Sequence, residues 1–96
     1  MKKLQNSFTG RASQSGWQFE LVEREEYKAI YRKTDGISTY YEAIRIKVVG
    51  DSVVGGNLIV GGERFPSDSS FGQDGWCCKD YLTAKKYYDN ITNPIN

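Results

Sequence analysis

Ninety-six residues carry thirteen Lys and Arg against twelve Asp and Glu, a formal net charge of +1, so no strong global field draws the chain to nucleic acid or to an anionic membrane. No histidine is present, which removes the commonest neutral-pH base and metal ligand and with them any serine- or cysteine-type triad. Apolar residues reach 39% and aromatic residues 14%, enough large rings to build one small core and to exclude a disordered chain.

The two cysteines, Cys77 and Cys78, are adjacent. Neighbours in a strand point to opposite faces, so the pair supplies neither a disulfide framework nor the spaced thiolates of a zinc site. No run of about 18 apolar residues occurs, and MKKLQNSFTG has no apolar stretch of signal-peptide length. A cytoplasmic location without membrane contact is the expectation.

Residues 1–16 are polar apart from Leu4 and Phe8 and are expected to be a flexible or loosely docked segment ahead of one domain over residues 17–96. From Trp17 the apolar residues alternate, the period of a half-buried strand that runs to Val22 and fades into the charged turn 23–26. A second strand is predicted over Tyr27 to Lys33, closed by Asp35-Gly36, a hairpin dipeptide. A third runs from Thr39 to Val49, with Tyr40, Ile44, Ile46 and Val48 on the core face and Tyr41, Arg45 and Lys47 on a solvated one.

The segment VVGGNLIVGG predicts a short strand at Asn57 to Val60 with bends at its paired glycines. A long loop, residues 61–75, leads to a last strand at Trp76 to Lys79. Asp80 is the expected N-cap of a helix from Tyr81 to Ile91. Its Tyr81, Ala84, Tyr88 and Ile91 form one stripe at spacings of three, four and three, and Asn93-Pro94 ends it. The expected fold is α+β: an antiparallel meander of four to five strands with one C-terminal helix packed on one face.

Candidate chemistry is sparse. DSSFGQDG lacks the alternating acids of a calcium loop, and the glycine pairs fit neither phosphate-binding pattern. Glu25-Glu26 lies in an exposed turn. These residues predict no catalysis, no metal and no cofactor.

Two binding surfaces are predicted instead. One is a basic aromatic strand face made by Lys28, Arg32, Tyr41, Arg45 and Lys47, a combination that can pair phosphates and stack bases of single-stranded nucleic acid. The other is the loop aromatics Phe65, Phe71 and Trp76. They are expected to pin the loop to the helix unless a ring stays exposed as an interface anchor.

The order FELVER, AIYRKT and YYEAIRI, then Pro66-Ser67, Phe71-Gly72, Trp76 and Ala84, resembles a layout among small uncharacterised proteins of bacteriophages and mobile elements. That resemblance spans about residues 17–91 and transfers no catalytic residue. It implies a virus-encoded accessory protein that binds and blocks a host factor, including defence systems such as CRISPR effectors. Binding a host protein without catalysis is therefore the first functional expectation. A small nucleic-acid-binding domain is the alternative, and an unpaired sheet edge makes a homodimer a further one.

Overall fold

A computed structural model describes residues 2–92. Short strand β1 (Ser7–Thr9) is followed by β2 (Gln18–Arg24), β3 (Lys28–Thr34) and β4 (Thr39–Arg45), which pair successively antiparallel. The β3–β4 turn forms where Asp35 requires it: its Oδ1 accepts from the amides of Ile37 at 2.9 Å and Ser38 at 2.7 Å, and Gly36 takes φ 93°, a value glycine adopts at no steric cost. Register slips between Leu21 and Glu23, a bulge that turns Val22 out of the alternation.

Beyond Arg45 the structure departs from the expected continuous strand. Ile46 is buried and its amide donates to the Tyr27 carbonyl at 2.8 Å, a last bond toward β3 beyond which the chain leaves the main sheet. Four short strands follow: β5 (Lys47–Val49), β6 (Ser52–Val54), β7 (Asn57–Ile59) and β8 (Gly62–Arg64). β5 pairs with β8 and β6 with β7, in two two-stranded ladders separate from the main sheet. Gly55 and Gly56, at φ 58° and 81°, make the tight turn between β6 and β7, the conformation a two-residue hairpin needs. The strand expected near Asn57 thus belongs to a hairpin arm.

The chain rejoins the sheet as β9 (Gly75–Cys78), antiparallel to β4, giving an open five-stranded sheet in the order β1-β2-β3-β4-β9. Helix α1 (Tyr81–Asn90) starts where Asp80 Oδ1 accepts from the Thr83 amide at 2.7 Å, the N-cap bond that satisfies an otherwise orphaned donor. The predicted Asn93-Pro94 stop lies outside the described residues. Ala84, Tyr88 and the following Ile91 pack on Ile30, Ala43 and Cys78. The Tyr81 hydroxyl and Lys85 Nζ both bond Glu23, the latter at 2.9 Å, tying α1 to β2. These bonds hold the Glu23 carboxyl below its ordinary range.

The helix thus covers the strand face expected to be solvated, and the second face, which carries the expected core residues Ile44 and Ile46, is covered as well. Phe19, Ala29, Tyr31, Ile44 and Ile46 are buried there beneath Leu4, Phe8, Trp17, Leu21, Phe65 and Phe71. Phe8 stacks on Phe19 at 4.8 Å and meets Tyr31 and Phe65 edge-on. The N-terminal segment is therefore docked by its two apolar residues, which bury ring and branched-chain area that a free tail would leave in water. The Tyr31 hydroxyl donates to the Gln5 carbonyl at 2.7 Å, and burial pushes its pKa up to about 12.

Glu63, buried at the base of the arm, joins three parts of the chain. It accepts from Arg24 Nη1 and Nη2 at 2.9 and 3.0 Å and from the Leu4 amide at 3.0 Å. The Arg24 bonds are the main cause of a carboxyl pKa lowered from 4.5 to about 2. Because the folded value lies below the unfolded one, Glu63 stabilises the fold fully above about pH 4.5, and that stability is lost as pH falls toward 2. The loss amounts to about 3 kcal/mol. Acid titration of unfolding free energy is expected to show this step in the wild type, and Glu63→Gln is expected to flatten it.

Candidate functional site

The predicted basic face exists in register but not at the surface. β3 and β4 set Lys28 opposite Arg45 and Arg32 opposite Tyr41, on the face that α1 covers. Lys28 is 6% exposed. Its stem runs under the helix, its Nζ donates to the Tyr88 carbonyl at 2.9 Å and it lies 4.4 Å from that ring's centre. A long aliphatic stem with a donor at its tip can be buried in this way when a carbonyl waits at the end.

Arg45 is engaged by Asp74 Oδ1 at 2.7 Å and by the Thr92 and Gln73 carbonyls. Tyr41 packs edge-on against Tyr81 at 6.1 Å. Arg32 is partly exposed beside Glu20 at 3.5 Å. Lys47 is exposed but sits in the arm, away from the other four. These five residues therefore do not form a solvated basic patch of the kind that binds single strands.

The loop aromatics divide between the two faces. Trp76 follows the β9 alternation to the helix side and stacks on Tyr87 at 5.4 Å with ring planes 10° apart. Phe65 and Phe71 go to the opposite side, 6.3 Å apart, with Phe65 edge-on to Phe19 and Tyr31. Gly75 lies against the Phe71 ring, where a Cβ would come within 2.9 Å. The loop is thus pinned to the second face of the sheet rather than to the helix, because adjacent strand positions point to opposite sides.

The surface that the strand pattern did not single out is the arm. Of eleven large hydrophobic residues exposed among the described residues, seven lie there: Val48, Val49, Val53, Val54, Leu58, Ile59 and Val60. Register pairs Val53 with Leu58 and, one step away, Val54 with Asn57 and Ser52 with Ile59, so apolar side chains emerge from both faces of the β6–β7 ribbon. Residues 48–60 contain one charge, Asp51. Its Oδ1 accepts from the Gly61 amide at 2.6 Å, closing the arm where Gly61 passes against the Val49 carbonyl. Isolated two-stranded ribbons are marginal in water, and free apolar edges are ordinarily blunted by charge or proline. This arm has neither in its ribbon.

On the second face, the N-terminal segment, the loop around Phe65 and the sheet enclose an open cleft of about 1060 Å3. At its floor Lys33 and Glu42 are both buried, with Nζ 2.9 Å from a Glu42 carboxylate oxygen and 2.9 Å from Gln14 Oε1. Cys77 also lines it. Burial raises both thiol pKa values, and Glu42 adds to the effect at Cys77 while Lys33 opposes it. Neither sulfur is therefore tuned as a thiolate nucleophile. Among the described residues no group of three or more acids and cysteines is placed to hold a metal ion, and no helix is long and apolar enough to cross a membrane.

Comparison of the chain with protein-family profiles, with curated proteins and with solved structures returns no match.

Proposed function

We propose that this protein is a non-catalytic binding protein whose hairpin arm enters an apolar groove on another protein. In keeping with the layout it resembles, that partner is a host factor whose working surface the arm occupies. The observation that carries the reading is the uncharged ribbon with apolar side chains on both faces. A contact laid flat against one side would leave the other side in water, whereas a groove that clasps the ribbon removes both from solvent. Strand addition along a free edge would supply main-chain hydrogen bonds in the same geometry.

The test is capture of partners by the immobilised chain from its natural host, followed by titration of the purified partner with wild-type and arm-substituted protein. Saturable binding that the arm substitutions remove supports the reading, and binding they leave intact refutes it. Sedimentation of the isolated chain separates a second copy from a different protein as the occupant: a concentration-dependent dimer lost on the same substitutions would replace the host factor with self-association.

A further inference from the structure

The cleft on the second face is independent of the arm, and its chemistry is of a different kind. Its walls are aromatic, formed by Phe8, Phe65 and Phe71, all half-buried and therefore still presenting ring surface. Its rim is basic: Lys2, Lys3, Arg11 and Arg64 line it.

The two lining carboxylates are Glu42 and Glu63. Glu42 faces Lys33 at 2.9 Å, and Glu63 is held by Arg24, with Lys3 at 3.6 Å. For Lys2, Arg11 and Arg64 no ion pair is recorded among the described residues; Arg64 donates only to the Glu63 and Val60 carbonyls, contacts that orient a guanidinium without neutralising it. A protein of net charge +1 thus places three cations, without a carboxylate partner among the described residues, around one aromatic-walled recess.

Small-molecule sites are concave, predominantly apolar and set with a few convergent polar groups, at volumes of roughly 300–1,000 Å3. At about 1060 Å3 the cleft lies just above that range. Its floor adds the buried Lys33–Glu42 pair, with half-buried Gln14 accepting from Lys33, a polar end to an aromatic-walled recess.

We infer that this cleft binds a small planar organic anion. The ring of the ligand lies among Phe8, Phe65 and Phe71, and its carboxylate, sulfonate or phosphate meets the cations of the rim. Stacking rewards any flat ring, and the guanidinium of Arg11 or Arg64 suits a planar or tetrahedral oxyanion by paired donors. Neither half of the recess distinguishes the ligand alone; together they select rings that carry negative charge.

The probe is 8-anilinonaphthalene-1-sulfonate, titrated at low salt into 15N-labelled protein, with its uncharged counterpart N-phenyl-1-naphthylamine as comparison. The expected result is one saturable site whose amide shifts fall at Gly10, Phe65, Phe71 and Cys77. The sulfonate should bind at least tenfold more tightly than the neutral amine, and the affinity should fall at least tenfold in Lys2→Glu/Arg11→Glu. Both side chains are exposed, so this variant should keep the wild-type spectrum elsewhere. Absence of saturable binding, equal affinity for the neutral amine, or insensitivity to the double charge reversal would each overturn the inference. Shifts confined to residues 48–60 would do the same, assigning the probe to the apolar arm. Failure of the arm reading leaves these outcomes untouched, since none of them involves the arm partner.

Discussion

Exchanging Val53 and Leu58 together for lysine is expected to leave the fold unchanged and to weaken partner binding at least a hundredfold. The two side chains are 68% and 65% exposed, so little of their apolar area contributes to the isolated chain. Burying a Val or Leu side chain fully is worth about 1.5–3 kcal/mol, and a tenfold change in affinity corresponds to about 1.4 kcal/mol. Losing two such groups at the centre of a contact therefore exceeds two decades before the cost of placing ammonium groups in an apolar groove is added.

Ile37→Lys is the matched control. Ile37 is 94% exposed, in the β3–β4 turn, and its substitution places a lysine on an exposed apolar position, one added charge against the arm variant's two, without touching the arm. Calorimetric titration of the purified partner against the three proteins, alongside their thermal unfolding, reads both halves of the expectation. An arm double variant that binds like the wild type, or an Ile37→Lys that binds as poorly as the arm variant, would remove the arm from the interface. A drop in melting temperature of the arm variant alone would show instead that the ribbon is a structural element of the isolated chain.

The parts of the fold that were legible in the sequence are those in which periodicity and capping speak to the same choice. β2, β3 and β4 follow from period-2 alternation, their hairpin from Asp35-Gly36, and α1 from Asp80 and the Tyr81, Ala84, Tyr88 and Ile91 stripe. Which face is covered was not legible. Lys28 and Arg45 read as solvent-facing because charged residues are seldom buried, yet one ends on a carbonyl of α1 and the other on Asp74 and two carbonyls. Alternation specifies that two residues share a face; it carries no information about what is later laid over it.

The same holds for the arm. VVGGNLIV has the β-branched content of a core strand, and exposure leaves no mark on such a run. Two signals were nevertheless present. A Gly55-Gly56 pair between Val53-Val54 and Asn57-Leu58 is a two-residue hairpin pattern, and a single charge over residues 48–60 marks a segment without the protection that free edges normally carry. Read together they point to a hairpin awaiting cover. The docking of residues 4–9 rests on Leu4 and Phe8, whose spacing across a polar segment gives no period to read.

The second large effect is expected at the buried ion pair. Glu42→Leu should destabilise the protein by about 3–5 kcal/mol, the usual consequence of leaving a buried charge without its counterion. Lys33 and Glu42 are 9% and 4% exposed at their side chains, and Lys33 Nζ is further enclosed by the rings of Trp17 at 4.9 Å and Phe19 at 5.9 Å. Those rings and Gln14 Oε1 solvate an ammonium only in part, so removing the carboxylate leaves most of the desolvation cost uncompensated.

The double variant Lys33→Met/Glu42→Leu should recover most of that loss, because two apolar side chains of similar volume against Phe19 and Trp17 need no counterion. Denaturant unfolding of the two single variants and the double gives the coupling directly. A Glu42→Leu variant within about 1 kcal/mol of wild type would mean that water already reaches the pair through the cleft. A double variant as unstable as the single would mean that the polar cluster holds the cleft floor in place. In the expected case the pair is dispensable for stability once both members are gone, so stability alone gives no reason for a Lys33–Glu42–Gln14 cluster to sit at the end of an aromatic recess. Its position at the end of a cleft walled by Phe8, Phe65 and Phe71 and lined by Lys2, Arg11 and Arg64 is what the inferred ligand site would account for.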